Sequence, residues 1–129
     1  MAKEKCLILD DDERLSRLLV KGLECFGCDA LSTVTSDECL GHYSDAMKEN
    51  QPYDFVILDL ALSGERGGKE TLDSLLTIDP KARAIATSGY KEKDPMVNYR
   101  KYGFKEVLPK PFSIVELLDV VDRVVKGSQ

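Results

Sequence analysis

The sequence predicts an alternating α/β domain built on a parallel sheet, and three observations lead there. Short apolar runs and amphipathic stretches take turns along the chain, five of each. The run "YDFVILD" carries bulky residues at successive positions, as a strand covered on both faces requires. The connections have room for helical crossovers, without which neighbouring strands cannot run parallel.

Each element carries its own signal. "KCLIL" reads as the first strand, and "DERLSRLLVKGLECFG" as a helix with Leu15, Leu18, Leu19, Leu23 and Phe26 at helical spacing, closed by glycine. "CDALST" is the second strand. Thr35-Ser36-Asp37-Glu38 forms a capping box that opens a helix to about Glu49. "YDFVILD" is the third strand, "GGKETLDSLLTIDP" a helix stopped before Pro80, and "ARAIATS" the fourth strand. A helix from about Asp94, with Pro95 in its first turn, runs to Gly103. "FKEVLP" is the fifth strand. Ser113-Ile114-Val115-Glu116 is a second capping box, and Ile114, Leu117, Leu118, Val121 and Val125 make one apolar face of the last helix.

With 129 residues, 43% hydrophobic and 32% charged, residues 1–129 read as a single domain with a modest core. A net charge of -5 without a basic stripe argues against direct nucleic-acid binding. "MAKEK" lacks a signal-peptide core and no apolar run has the length of a span, so the chain reads as cytoplasmic, without direct membrane contact. Cys6, Cys25, Cys28 and Cys39 then read as reduced thiols. "CFGC" has thioredoxin-like spacing, but Gly27 sits where a left-handed residue would end the first helix and Cys28 would open the second strand. His42 falls on a polar helix face with no nucleophile pattern pointing to it.

In a sheet of this class ligands bind outside the carboxyl ends of the strands, where the strand order reverses. Strand one ends in Asp10 and Asp11, strand three in Asp59, strand four in Thr87 and Ser88, and strand five leads to Lys110. Three converging carboxylates repel when desolvated, and a hard divalent cation relieves them. Mg²⁺ suits the set, because it takes one or two carboxylates together with water and phosphate oxygens. A lysine offers a point charge and a hydroxyl a donor for phosphoryl oxygens. These residue types suit phosphoryl chemistry with Asp59 as nucleophile.

With "LILDDD", "FVILDLALSG", "AIATSGY" and "VLPKPF" each at a strand end, the chain resembles the receiver domain of two-component response regulators over essentially its whole length. "GGKETLDSLLTIDPKARAIATSGY" and "YRKYGFKEVLPKPF" look most like receivers fused to hybrid sensor histidine kinases. The resemblance implies a flavodoxin-like doubly wound five-stranded sheet of order 2-1-3-4-5 with five helices. It makes Asp59 the phosphoacceptor, Asp11 the direct metal carboxylate and Asp10 the holder of a metal-bound water, with the Ala61 carbonyl completing the Mg²⁺ ligands. Ser88 takes the switch-hydroxyl position and Lys110 the lysine, with Lys110-Pro111 cis. The implied phosphoryl source is a histidine kinase or a histidine phosphotransfer domain, and the implied state a monomer or weak dimer. Asp12 reads as an acidic helix start. A register one residue later, with Asp11 and Asp12 as the pair, stays open.

The sequence departs from that pattern at several positions. Ser63 replaces a frequent proline, Ala61 and Tyr90 occupy positions that tune dephosphorylation in the family, and Val107 stands where many receivers carry an aromatic that follows the phosphorylated state. Two other functions remain in play. An inert receiver-like scaffold would have been free to lose one of the five polar residues, and a phosphohydrolase of the haloacid-dehalogenase kind would carry a second acid two residues after its nucleophile, where this chain has Ala61.

Overall fold

The computed structural model describes residues 4–62, 67–89 and 97–126. The elements are β1 (Glu4–Leu9), α1 (Glu13–Cys25), β2 (Cys28–Thr33), α2 (Ser36–Lys48), β3 (Phe55–Asp59), α3 (Gly68–Ile78), β4 (Ala84–Ser88), α4 (Tyr99–Tyr102), β5 (Glu106–Pro109) and α5 (Ile114–Val125). The strands pair in parallel in the order β2-β1-β3-β4-β5. Both order and class are those the sequence and its resemblance lead to. Ser63, Tyr90, Asp94 and Pro95 lie outside the described residues, and so does the start predicted for the fourth helix.

Strand alternation sorts the core into two layers. Cys6, Ile8, Phe55, Ile57, Ile85 and Leu108 pack under α1 and α5, while Leu7, Leu9, Val56, Leu58, Ala84 and Ala86 pack under α2 and α3. Both capping boxes form, with Thr35 and Ser113 each accepting the amide of a glutamate three residues on. Gly27 adopts φ 89°, which explains "CFGC" as a helix stop followed by a strand. Cys6, Cys28 and Cys39 are buried free thiols, Cys25 is exposed and free, and His42 is exposed.

Two helix faces differ from the periodic reading. In α1 Leu19 and Leu23 are buried, yet Leu18 is 63% and Phe26 64% exposed, and Ser16 takes a buried place. In α5 Val120 and Val124 join Leu117 and Val121 in the core, while Ile114 is 44% exposed. Ile114 leans against α1 instead, in the space left by Gly22, where a Cβ would collide with its Cδ1. The two helices carry more apolar residues than the sheet can cover, so the surplus lines a groove between them with Leu15, Leu18, Gly22, Phe112 and Ile114 on its walls.

α3 is held close to the end of β3. A Cβ on Gly68 would lie 2.7 Å from the Asp59 carbonyl oxygen and one on Gly67 2.8 Å from that of Leu60. Only glycine lets the helix start come so near the backbone that carries Asp59.

Candidate functional site

β1 and β3 are central strands, so the residues that end them are screened from solvent by their neighbours. Asp10 is 2% and Asp59 3% exposed, whereas Asp11, two residues past the strand, faces solvent. One oxygen from each of Asp10, Asp11 and Asp59 lies within 4.8 Å of the others. Buried carboxylates at that spacing need cationic company. Lys110 supplies part of it, with Nζ 3.1 Å from Asp10 Oδ2 and 3.4 Å from Asp59 Oδ2. The Lys110-Pro111 bond is cis.

Backbone amides take up the remaining oxygens. Asp12 N–H donates to Asp10 Oδ1 at 2.8 Å, and Ala61 N–H to Asp59 Oδ1 at 3.0 Å. Asp12 then caps α1 by accepting the Leu15 amide at 3.1 Å. That is the helix-start role read from the sequence, and it is Asp10 and Asp11 that lie in the cluster with Asp59. β4 ties the site together from behind: its Thr87 carbonyl accepts the Leu60 amide at 2.9 Å, and its Ser88 carbonyl the Lys110 amide at 2.8 Å.

The electrostatics record the crowding. Burial raises the Asp10 carboxyl above the usual range, with repulsion from Asp59 adding to it, while the Asp12 amide and Lys110 pull the other way. Burial works against the Lys110 charge, but the hydrogen bond and attraction from Asp10, followed by those from Asp59, lift its pKa above the ordinary value. One ammonium among three carboxylates leaves net negative charge, and the oxygen-only donor set is the kind a hard cation such as Mg²⁺ takes.

The structure thus brings Asp10, Asp11, Asp59 and Lys110 together. Ala61 reaches the site through its amide. Ser88 is fully buried one residue beyond the Asp59 partner position, and its Oγ has no hydrogen-bond partner among the described residues. Two residues passed over as site members join the cluster's surroundings. Ser16 Oγ donates to the Asp10 carbonyl at 3.5 Å, and Thr87, paired with Asp59, has a buried hydroxyl without a partner among the described residues. Strand alternation could have flagged Thr87; nothing in the local sequence marks Ser16.

A family model described as the response regulator receiver domain matches residues 6–122. Sporulation initiation phosphotransferase F of Bacillus subtilis is 29% identical over 123 residues, which cover 95% of this chain and 94% of that protein. Transcription factor SKN7 of Candida albicans is 28% identical over 117 residues, covering 91% of this chain but only 20% of its own length. The chain therefore spans about a fifth of that relative. The receiver domain of NtrX from Brucella abortus superposes with a TM-score of 0.83 at 25% identity, over 95% of this chain and 99% of that one.

Proposed function

The chain belongs to the response regulator receiver domain family, and from that premise we propose that Asp59 accepts a phosphoryl group from a phosphohistidine in a Mg²⁺-dependent reaction. The observation that carries this reading is the convergence of Asp10, Asp11 and Asp59 around the Lys110 ammonium at one edge of the sheet. An Asp59 carboxylate oxygen attacks phosphorus in line, the new O–P bond forms as the donor N–P bond breaks, and the imidazole nitrogen keeps the electron pair. The Ala61 amide restrains the Asp59 carboxylate, and Lys110 stands where it can meet a phosphoryl oxygen. Mg²⁺, held by Asp11, Asp59 and the Ala61 carbonyl with Asp10 behind a bound water, would neutralise charge on the transferred group. Ser88 would donate its otherwise unused hydroxyl to that group.

In this reading the chain is a signalling phosphoacceptor that assists its own phosphorylation and dephosphorylation, rather than a turnover enzyme. Residues 1–129 act as one receiver unit, monomeric or weakly dimeric. It is cytoplasmic and served by a histidine kinase or histidine phosphotransfer domain, and its sequence resembles receivers fused to hybrid sensor histidine kinases. None of the described helices is long and apolar enough to cross a membrane. Intact-mass measurement after incubation with phosphoramidate and Mg²⁺ tests the chemistry. The proposal expects one base- and hydroxylamine-labile phosphoryl group on the wild type and none on Asp59→Asn. An unmodified wild type would favour the inert scaffold, turnover of unrelated phosphoesters would favour a hydrolase, and an adduct surviving in Asp59→Asn would place the acceptor elsewhere.

A further inference from the structure

Thr87 is 1% exposed, and its Oγ1 has no hydrogen-bond partner among the described residues. A hydroxyl buried in that way destabilises the fold unless some group takes it up. The strand registers say which groups are in reach. Thr87 pairs with Asp59 on β3 and with Leu108 on β5. Residues paired across parallel strands share a face of the sheet, and Leu108 packs in the layer under α1 and α5. Thr87 therefore faces that layer, with Asp59 beside it and Lys110 two residues beyond Leu108. Neighbouring strands lie about 4.8 Å apart, so a side-chain hydroxyl and a carboxylate in register can span the gap with one hydrogen bond.

The carboxylate has capacity to spare. Asp59 Oδ1 accepts the Ala61 amide and Oδ2 faces Lys110, which leaves lone pairs on both. Ser88 is one residue past the Asp59 pairing position and alternates to the face that holds Ala84 and Ala86, so it is set apart for a phosphoryl group beyond the strand end rather than for the bare carboxylate.

On the reading that Asp59 is the phosphoacceptor, we infer that Thr87 is a positioning residue whose hydroxyl donates to the Asp59 carboxylate and holds the plane of the nucleophile. The structure holds the Thr87 hydroxyl without this bond; a χ1 turn between staggered wells would aim it at Asp59. The bond leaves one carboxylate oxygen held from the strand side and the other presented to the loop where the phosphoryl group arrives. A valine at this position fills the same volume and suits a strand equally well, so the hydroxyl alone separates the two residues.

Two measurements on Thr87→Val and Thr87→Ser test the inference. In urea unfolding, Thr87→Val lowers the midpoint of the wild type and has little effect in an Asp59→Ala background, because the bond it removes is already gone. In phosphoramidate labelling with Mg²⁺, Thr87→Val slows incorporation roughly tenfold, while Thr87→Ser stays within about threefold of wild type. A midpoint raised by Thr87→Val, an equal shift in both Asp59 backgrounds, or a Thr87→Val labelling rate equal to wild type overturns the inference. Serine labelling as slowly as valine overturns it too, since shape rather than the hydroxyl would then matter. A wild type that takes no label overturns the phosphoacceptor reading instead, and the urea cycle still decides whether Thr87 and Asp59 are bonded.

Discussion

The two ends of the same sheet are finished in opposite ways. At the amino end Arg83 donates Nε–H to the Asp54 carbonyl at 3.1 Å and Nη1 to the Val124 and Val125 carbonyls at 2.9 and 3.2 Å. The Asp54 carboxylate accepts the Lys5 amide at 2.7 Å, and Arg123 closes on Glu106 through contacts of 3.3 and 3.2 Å. At the carboxyl end three carboxylates share one ammonium, and the hydroxyls of Thr87 and Ser88 are buried without partners among the described residues. Cations at the amino end answer the last carbonyls of a helix and the ends of strands, which steadies the fold with no ligand present. The carboxyl end keeps surplus negative charge and the unused Ser88 hydroxyl, which a cation and a phosphoryl group would take up in the proposed reaction. On the proposed function, stability and chemistry are separated along the length of the same strands.

Arg83→Ala tests the independence of the two ends most severely. It strips three carbonyls of a charged donor in a half-buried position and should cost about 3 kcal/mol of stability in urea unfolding. The folded variant should still label at Asp59 at the wild-type rate. A loss of labelling without a loss of stability would show that the two ends are not separate.

Asp10→Asn probes the other end with a smaller, opposite effect. Because the folded pKa of Asp10 lies above its unfolded value, ionising this carboxylate destabilises the fold at neutral pH, and that penalty fades as pH falls through the raised pKa. Asparagine should therefore raise the urea midpoint at neutral pH, and the advantage over wild type should shrink on acidification. A lowered midpoint at neutral pH would mean that the Lys110 pairing outweighs the crowding.

The smallest effect concerns how far a change at the site travels. Val107 is half-buried against the α2/α3 layer, on the same side as Ser88. A short β-branched side chain has few rotamers and no polar tip with which to carry a hydroxyl movement outward. Beryllofluoride with Mg²⁺ should then protect the loops after β3 and β4 from hydrogen exchange, while protection from Tyr99 to Leu118 changes little. Strong protection across that segment, or dimerisation through it on activation, would contradict this.

The strand ends were legible in the sequence because each apolar run stops abruptly at an acid, a hydroxyl or the lysine, and parallel topology puts all of them on one edge. Both capping boxes and the Gly27 stop were legible for the same reason, since their chemistry is local. The helix faces were less so. Leu18, Phe26 and Ile114 match core spacing as well as Leu19 or Leu117 do, but the area of the sheet limits how many apolar residues it can cover. Ser16 reaches a buried place through its contact with the Asp10 carbonyl, which hydrophobic periodicity cannot register. Thr87 lies in "AIATS", where every residue is buried, and only the register to Asp59 distinguishes its hydroxyl from a small core side chain.

In the proposed reaction the three carboxylates of the carboxyl edge hold a hard cation. Titration calorimetry with Mg²⁺ on wild type and Asp11→Asn, both at neutral pH, measures that directly. Asp11 is the solvent-facing member of the cluster, so its replacement leaves the buried Asp10, Asp59 and Lys110 contacts in place. Wild type should bind weakly at a single site, and Asp11→Asn should lose or severely weaken that binding. Equal binding by the two proteins would contradict it.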